Sequence, residues 1–360
     1  MKTKFHIDVL DLLRFLATMF VFCLHGRGFV PELNQRTDTW IGRYFYLPAW
    51  AGVWIFLFLS GFLFALAMQN NRYGILNEKG GINFKNLGWF YLSRLIRFGG
   101  LYFFYLLLFE LFSRGGFIIS NPQVGLRVIF FCFDGNGGVS ETGHLWYIST
   151  AIQLYVLMPF IYFGFHHLAK KWPKTPLLAF FVIMALGFAW RVGTKDADID
   201  WYTWIYAFSL SNLDLVCCGM LLAFLLPAFS ASKVHKILSA LLFTGLVVYN
   251  SYIYAIGDLY IYQRVLPSAY LLLCSYLVLA FYKPVRGTGF FAFFSKYSYG
   301  FYIFHVACFH LASAILLKTG WGLGPYGATV FVYLLAFSFA LGVSYFCTKY
   351  IRFPNIRRSA

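Results

Sequence analysis

The stretch DLLRFLATMFVFCLHG, residues 11–26, sets an aspartate, an arginine and a histidine in a run otherwise apolar enough to cross a bilayer. An ionisable group at bilayer depth costs about 2.5–3.5 kcal/mol on insertion scales, so such groups usually face the interior of a bundle and mark function. Arg14 and His25 stand eleven residues apart. At about 100° per residue this spacing returns to nearly the same azimuth, about three turns and ~16 Å along the axis. Asp11 and Thr18, three and four residues from Arg14, fall beside the same stripe. Histidine is the side chain best suited to exchange a proton near neutral pH, so the stripe reads as a polar track that leads to a proton acceptor. A second reading stands level with it from these residues alone: Asp11 and Arg14 merely pair, and His25 is an interfacial residue near the headgroups.

Other constellations follow along the chain. SRLIRF places Arg94 and Arg97 one turn apart near Lys85. Two guanidiniums on one helix face suit phosphate groups, and ordinary snorkelling to lipid headgroups is the alternative. FLFLSGFLFA, residues 56–65, holds Ser60 and Gly61 among bulky neighbours, a pattern that predicts close helix packing over a direct chemical role. GHLWYISTAIQLY, residues 143–155, opens a span with His144 and Trp146. An aromatic is expected at such an interface, and His144 is a candidate to line an outward-facing site. Asp214, in SNLDLVCCGMLLAF, is expected near the middle of a span, where a carboxylate needs a partner or a function. YSYGFYIFHVACFH, residues 297–310, supplies His305 and His310. Five residues apart, they share a face too poorly for a metal site, and no metal is expected.

The elements that must position these groups follow from composition. The chain has 360 residues, 60% hydrophobic and only 12% charged, against about 25% charged in ordinary soluble domains. A water-soluble globule with one core is excluded. Apolar runs near or above ~18 residues recur along the whole length, which selects helical spans over the ~10-residue alternating strands of a membrane barrel. The fold class is all-α, a polytopic transmembrane bundle with ten spans at roughly 7–29, 47–69, 88–112, 145–165, 176–192, 204–227, 236–256, 265–282, 295–317 and 326–349. The segment 114–143 has room for a short re-entrant or surface helix. The first run carries Asp8, Asp11 and Arg14 and no obvious small-residue cleavage site, and reads as a retained span. The seven cysteines form no CxxC pair and no zinc spacing, and read as small buried hydrophobes.

Lys and Arg collect in alternate loops, from Lys2 and Lys4 through Arg72, Lys85, Lys170, Lys171, Lys233 and Lys236 to Arg357 and Arg358. Most loop acids, among them Glu32, Asp38, Asp134, Asp196, Asp198 and Asp258, fall in the other set. The asymmetry places both termini in the cytoplasm. The formal charge of +16 is largely this topology, so a nucleic-acid partner has little support, while a basic face suits membrane lipids or an anionic substrate. Residues 1–360 read as one transmembrane domain with no room for a fused soluble catalytic domain.

Taken together the motifs resemble the acyltransferase-3 family of bacterial membrane proteins, over most of the chain. Arginine, ten intervening residues and histidine in the first span are met by Arg14 and His25. The family's paired arginines look like Arg94 and Arg97, and its small-residue signature is similar to LSGF, residues 59–62. Its HLW opening is matched by His144, Leu145 and Trp146, followed by Gln153, Tyr155 and Pro159, and its tyrosine-rich stretch ending in histidine resembles YSYGFYIFH through His305. Two departures stand out. Acids found in many members are replaced by Ala151 and Ile152, and a Glu-x-Pro element by Arg352, Phe353 and Pro354.

The resemblance implies a multi-pass protein of the bacterial inner membrane that moves an acyl group, commonly acetyl, from acetyl-CoA to a hydroxyl of an envelope or secreted glycan or its lipid-linked precursor. It implies that Arg94 and Arg97, helped by Arg14, take the donor phosphates, and that His25 acts as general base or carries the acyl group. Asp11, Ser60, His144, Trp146, Asp214 and His305 are the expected supporting or acceptor-side residues. Two rival classes are open. A secondary transporter would use Arg14, His25, Asp214 and His305 as a substrate or proton path; no paired repeat supports it. A scaffold for glycan assembly leaves the intramembrane charges unexplained.

Overall fold

The computed structural model describes residues 8–29, 50–77, 80–112, 121–134, 142–194, 200, 202–258, 260–282 and 289–351. Among them, ten helices are long and apolar enough to cross a membrane. These are the ten that the apolar runs predict, with shifted ends. The sixth begins at Leu210 rather than 204 because residues Tyr202–Ala207 form a separate π-helical turn ahead of it. The fourth runs on to Lys171 rather than 165, its polar last turns continuing the backbone ladder past the apolar segment. Many of the loop charges behind the topology argument, Lys2, Lys4, Glu32, Asp38, Asp196, Asp198, Arg357 and Arg358 among them, lie outside the described residues, as do Arg352, Phe353 and Pro354.

Helix α1 spans Asp8–Gly26 and α2 Ala51–Gln69. Helix α3 is α-helical over Phe84–Arg94, opens to a π-helical turn over Leu95–Gly99 and resumes over Gly100–Phe112. The short α4, Pro122–Ile129, is the helix for which the segment 114–143 had room. It starts where Asn121 accepts from Val124 N–H and Pro122 occupies the first turn, a position where its missing N–H costs nothing. Helices α5, Trp146–Lys171, α6, Thr175–Gly193, and α7, Leu213–Leu225, follow. Then come α8, Lys233–Ala255, and α9, Leu266–Phe281, the latter entered through a π-helical turn at Ile261–Val265. Helix α10 covers Phe290–Thr319 and α11 Pro325–Tyr350. Gly320, at φ +62°, ends α10 in the left-handed conformation that glycine adopts without penalty.

The chain divides into two compact units. The first comprises the residues up to Phe56 and Phe229–Tyr350, hence α1, the first turns of α2, and α8 to α11. Its centre is the α1, α10, α11 cluster. Phe15 meets Phe294 at 5.0 Å, Phe22 stacks on Phe309 at 4.5 Å, and Phe294 stacks on Phe337 at 6.1 Å. With no hydrophobic drive between helices in lipid, such interfaces depend on close contact and internal hydrogen bonds, and here Ser344 donates to the Tyr297 carbonyl at 2.6 Å across α10 and α11.

The second unit comprises Leu57–Ala228 with the residues after Tyr350. In it α2 and α7 touch backbone to backbone. A Cβ on Gly61 would lie 2.0 Å from the Val216 carbonyl oxygen, and one on Gly219 would lie 2.2 Å from that of Phe58. Gly61 therefore packs helices, as its bulky neighbours predict. Helix α3 meets α5 through Phe90 and Tyr155, and α5 meets α7 through Tyr162 and Phe224 at 5.5 Å.

Candidate active site

In the first unit the stripe on α1 is answered by a stripe on α10. Arg14 pairs with Asp11 at 3.3 Å and donates to Ser295 Oγ. Thr18 Oγ1 donates back to the Arg14 carbonyl at 2.8 Å. Eleven residues on, His25 Nδ1 lies 2.7 Å from His305 Nε2. The contacts advance in the same direction along both helices, from 14 to 25 and from 295 to 305, so α1 and α10 run parallel. The i, i+3 pairing that made one reading of Asp11 and Arg14 is real, yet it does not stand by itself: the same guanidinium also reaches α10. His25, in the last turn of α1, is held by His305.

The histidine pair has a direction. His305 Nδ1 is 2.6 Å from the Tyr302 carbonyl, and a carbonyl can only accept, so Nδ1 carries the hydrogen. In a neutral ring the other nitrogen, Nε2, is then an acceptor, and His25 Nδ1 must donate to it. This assignment leaves the lone pair of His25 on Nε2. His305 is 1% exposed and Phe301 lies parallel to its ring at 6.4 Å. Phe22, one turn before His25, is stacked on Phe309 and edge-on to Tyr333, whose hydroxyl donates to the Cys23 carbonyl at 2.9 Å. The rings are thus fixed by packing as well as by hydrogen bonds.

In the second unit Arg94 sits in an aromatic cage. Its guanidinium carbon lies 5.2 Å from the ring centres of Tyr73, Phe90 and Tyr155, and it donates to the Tyr73 hydroxyl. Its Nε is buried and has no acceptor among the described residues. Arg97 falls inside the π-helical turn, exposed, and within electrostatic reach of Arg94, Arg72, Tyr73 and Tyr155. A π-helical turn adds a residue to the helical ladder and is frequent at functional sites; here it resets the direction of Arg97 relative to Arg94. The loop that carries Arg72 and Tyr73 is tied down by Asn86 Nδ2 to the Gly74 carbonyl at 2.8 Å and by Asn83 N–H to the Ile75 carbonyl at 2.7 Å. Arg72, counted in the sequence only as a loop charge, is a member of this cationic group that spacing along one helix could not reveal.

These motifs are those of a known set. The profile of an acyltransferase domain matches residues 7–349, nearly the whole chain. The protein belongs to the acyltransferase-3 family. No curated protein and no solved structure matches the chain.

The remaining expected site residues of this acyltransferase-family protein are all in its second unit. Ser60 is half-buried beside the Gly61 contact. His144 is 3% exposed, with Tyr105 edge-on at 5.9 Å. Trp146, 5% exposed, packs on Tyr206 at 4.7 Å and edge-on to Tyr202 at 6.0 Å. Trp146 is therefore core rather than an aromatic at an open surface, because the π-helical turn at 202–207 folds over it and is anchored by Thr150 Oγ1 to the Ala207 carbonyl at 2.7 Å. Burial, with the carboxylates of Asp134 and Asp200 nearby, pushes the Tyr202 phenol above its ordinary range, so it stays a neutral donor. Asp214 is in the first turn of α7, not near the middle of a span. Its carboxylate is gripped by Arg191 at 2.6 and 3.2 Å. Arg191 was missed in the sequence because it lies on another helix, 23 residues earlier, and only tertiary packing brings it opposite.

Proposed function

We propose that this family member is a membrane O-acyltransferase that moves an acyl group, most simply acetyl, from acetyl-CoA to a hydroxyl of a cell-surface or secreted glycan or its lipid-linked precursor. The observation that carries the proposal is the hydrogen-bonded run from His25 through His305 to the Tyr302 carbonyl. It fixes the tautomer in which His25 Nε2 is basic, which is what removal of a proton from a hydroxyl demands. The deprotonated oxygen attacks the thioester carbonyl, the C–S bond breaks, and the departing thiolate takes the proton from Nε2.

The donor's phosphates fit the caged Arg94 and the exposed Arg97. A guanidinium with a buried Nε–H and no carboxylate partner among the described residues is matched by an anion that accepts charge-assisted hydrogen bonds. In this reading the basic loops face the cytoplasm, where the donor is made, and the acceptor is reached on the far side of a bacterial inner membrane.

The test is release of free CoA thiol from acetyl-CoA by purified protein in nanodiscs, with and without glycan extract, beside His25→Ala and Arg94→Ala. Glycan-stimulated release should fall by roughly 10²–10⁴-fold in the histidine variant, the usual value of a positioned base. Arg94→Ala should raise the KM for acetyl-CoA more than it lowers kcat. Unchanged release in a monodisperse His25→Ala protein would sink the proposal, as would counterflow of an unmodified substrate without any thiol release.

A further inference from the structure

A base of this kind is usually backed by a carboxylate, and the described helices of the first unit hold few. Among the helices of the first unit only α1 holds any, Asp8 and Asp11; α8, α9, α10, α11 and the first turns of α2 have no Asp or Glu. Asp11 is fourteen residues before His25, about 21 Å along the helix. The position behind His25 Nδ1 is taken by His305 instead, at 2.7 Å. A carboxylate there orients the imidazole and stabilises its cation without taking the proton. A neutral imidazole differs in kind, because it can accept the proton outright.

We infer that His305 is a proton relay for His25, a positioning residue that stores the substrate's proton equivalent one ring away from the reacting atoms. The inference rests on the acyl-transfer reading above. In the forward step the acceptor O–H breaks and its proton goes to His25 Nε2, while the proton on His25 Nδ1 crosses to His305 Nε2. His305 keeps its own hydrogen on Nδ1, held by the Tyr302 carbonyl. His25 is then neutral again and the positive charge is on His305. After the oxygen attacks the thioester and the C–S bond breaks, the thiolate takes the Nε2 proton of His25, and the proton on His305 Nε2 returns to His25 Nδ1. Hydroxyl and thioester become ester and thiol, and both histidines end as they began. The cation that forms beside the reacting centre in a single-histidine mechanism is moved away from it. There the Tyr302 carbonyl, which accepts from His305 Nδ1–H, faces the displaced charge.

His305→Gln separates relay from orientation. A glutamine oxygen accepts from His25 Nδ1 and holds the same tautomer, but it never takes the proton. His305→Phe removes both functions, and His25→Ala is the baseline. The relay predicts that His305→Gln folds, keeps the KM values for acetyl-CoA and glycan extract close to those of the parent, and loses kcat on the order of 10–100-fold. It also predicts that the solvent proton inventory, bowed in the parent because two protons move, becomes linear. His305→Phe should fall to the level of His25→Ala. A His305→Gln protein with parental kcat and an unchanged inventory would overturn the relay and leave His305 as an orienting group, with the acyl-transfer reading intact. A His25→Ala protein as active as the parent would instead remove that reading itself. Should His305→Gln fail to fold, ¹⁵N-histidine-labelled parent protein supplies the second test: a scalar coupling between His25 Nδ1 and His305 Nε2 across the shared hydrogen is required, and its absence from an otherwise assigned spectrum overturns the relay.

Discussion

Among the described residues, two aspartate–arginine pairs lie within membrane-spanning helices, and they are built in opposite ways. Arg191 and Asp214 join α6 to α7 through two contacts, at 2.6 and 3.2 Å, with side chains 3% and 4% exposed. Gly187 makes room for the carboxylate, since a Cβ there would lie 2.1 Å from Asp214 Oδ2. Asp11 and Arg14 sit on one helix with a contact of 3.3 Å; the aspartate is buried, and the arginine is 25% exposed and shared with Ser295. The first pair is a buried clamp in which both carboxylate oxygens accept from one guanidinium. The second holds a guanidinium in place while leaving part of it reachable. The two pairs thus differ in what they leave accessible: both partners are closed off in the first, whereas the second keeps a quarter of its arginine side chain exposed.

That contrast can be broken most forcefully at the clamp. Arg191→Leu leaves Asp214 buried without its partner, and breaking a buried pair from one side costs about 3–5 kcal/mol. Thermal unfolding in detergent should show a large drop in Tm, whereas Arg191→Leu combined with Asp214→Leu should recover most of it. A double variant as unstable as the single one would show that the pair is more than a structural clamp.

At the open pair the outcome should be inverted. Arg14→Ala combined with Asp11→Asn, which leaves no buried carboxylate stranded, is expected to leave the unfolding temperature nearly unchanged and to reduce glycan-stimulated thiol release on the order of 10–100-fold, the size of effect that loss of a positioning group produces. Arg14→Lys keeps the charge without the fork and should recover only part of the rate. A collapse of Tm in that double variant would place both pairs in the same structural class. The smallest effect sharpens the description of the second unit. Gly61→Ala puts a methyl group 2.0 Å from the Val216 carbonyl oxygen, which backbone movement must relieve, at a cost of about 1–3 kcal/mol read as a modest fall in Tm.

Particular elements show how much of this was legible in advance. The ten spans could be read directly, because a bilayer leaves backbone polar groups no solvent partner and so forces each long apolar run into a helix. Their ends were less legible: at Tyr202–Ala207 aromatic residues continue the apolar pattern, while the backbone opens into a π-helical turn that covers Trp146. The Arg14 and His25 stripe followed from helical period alone. The small-residue reading of Gly61 followed from its bulky neighbours, but which backbone it admits, that of α7, did not.

The sequence by itself determined what is local: helical spans from hydropathy, a shared azimuth from an eleven-residue spacing, and family membership from the order of short motifs. Tertiary structure decided everything that depends on which helix lies opposite. It set His305 280 residues away against His25 and so fixed a tautomer. It gave Asp214 to Arg191, and it closed three rings from separate segments around Arg94. The physical reason is one of range. Hydropathy and helical period act over a few turns of one chain, whereas hydrogen bonds and ion pairs act over about 3 Å in space, and in a bundle those 3 Å join residues that the sequence holds far apart.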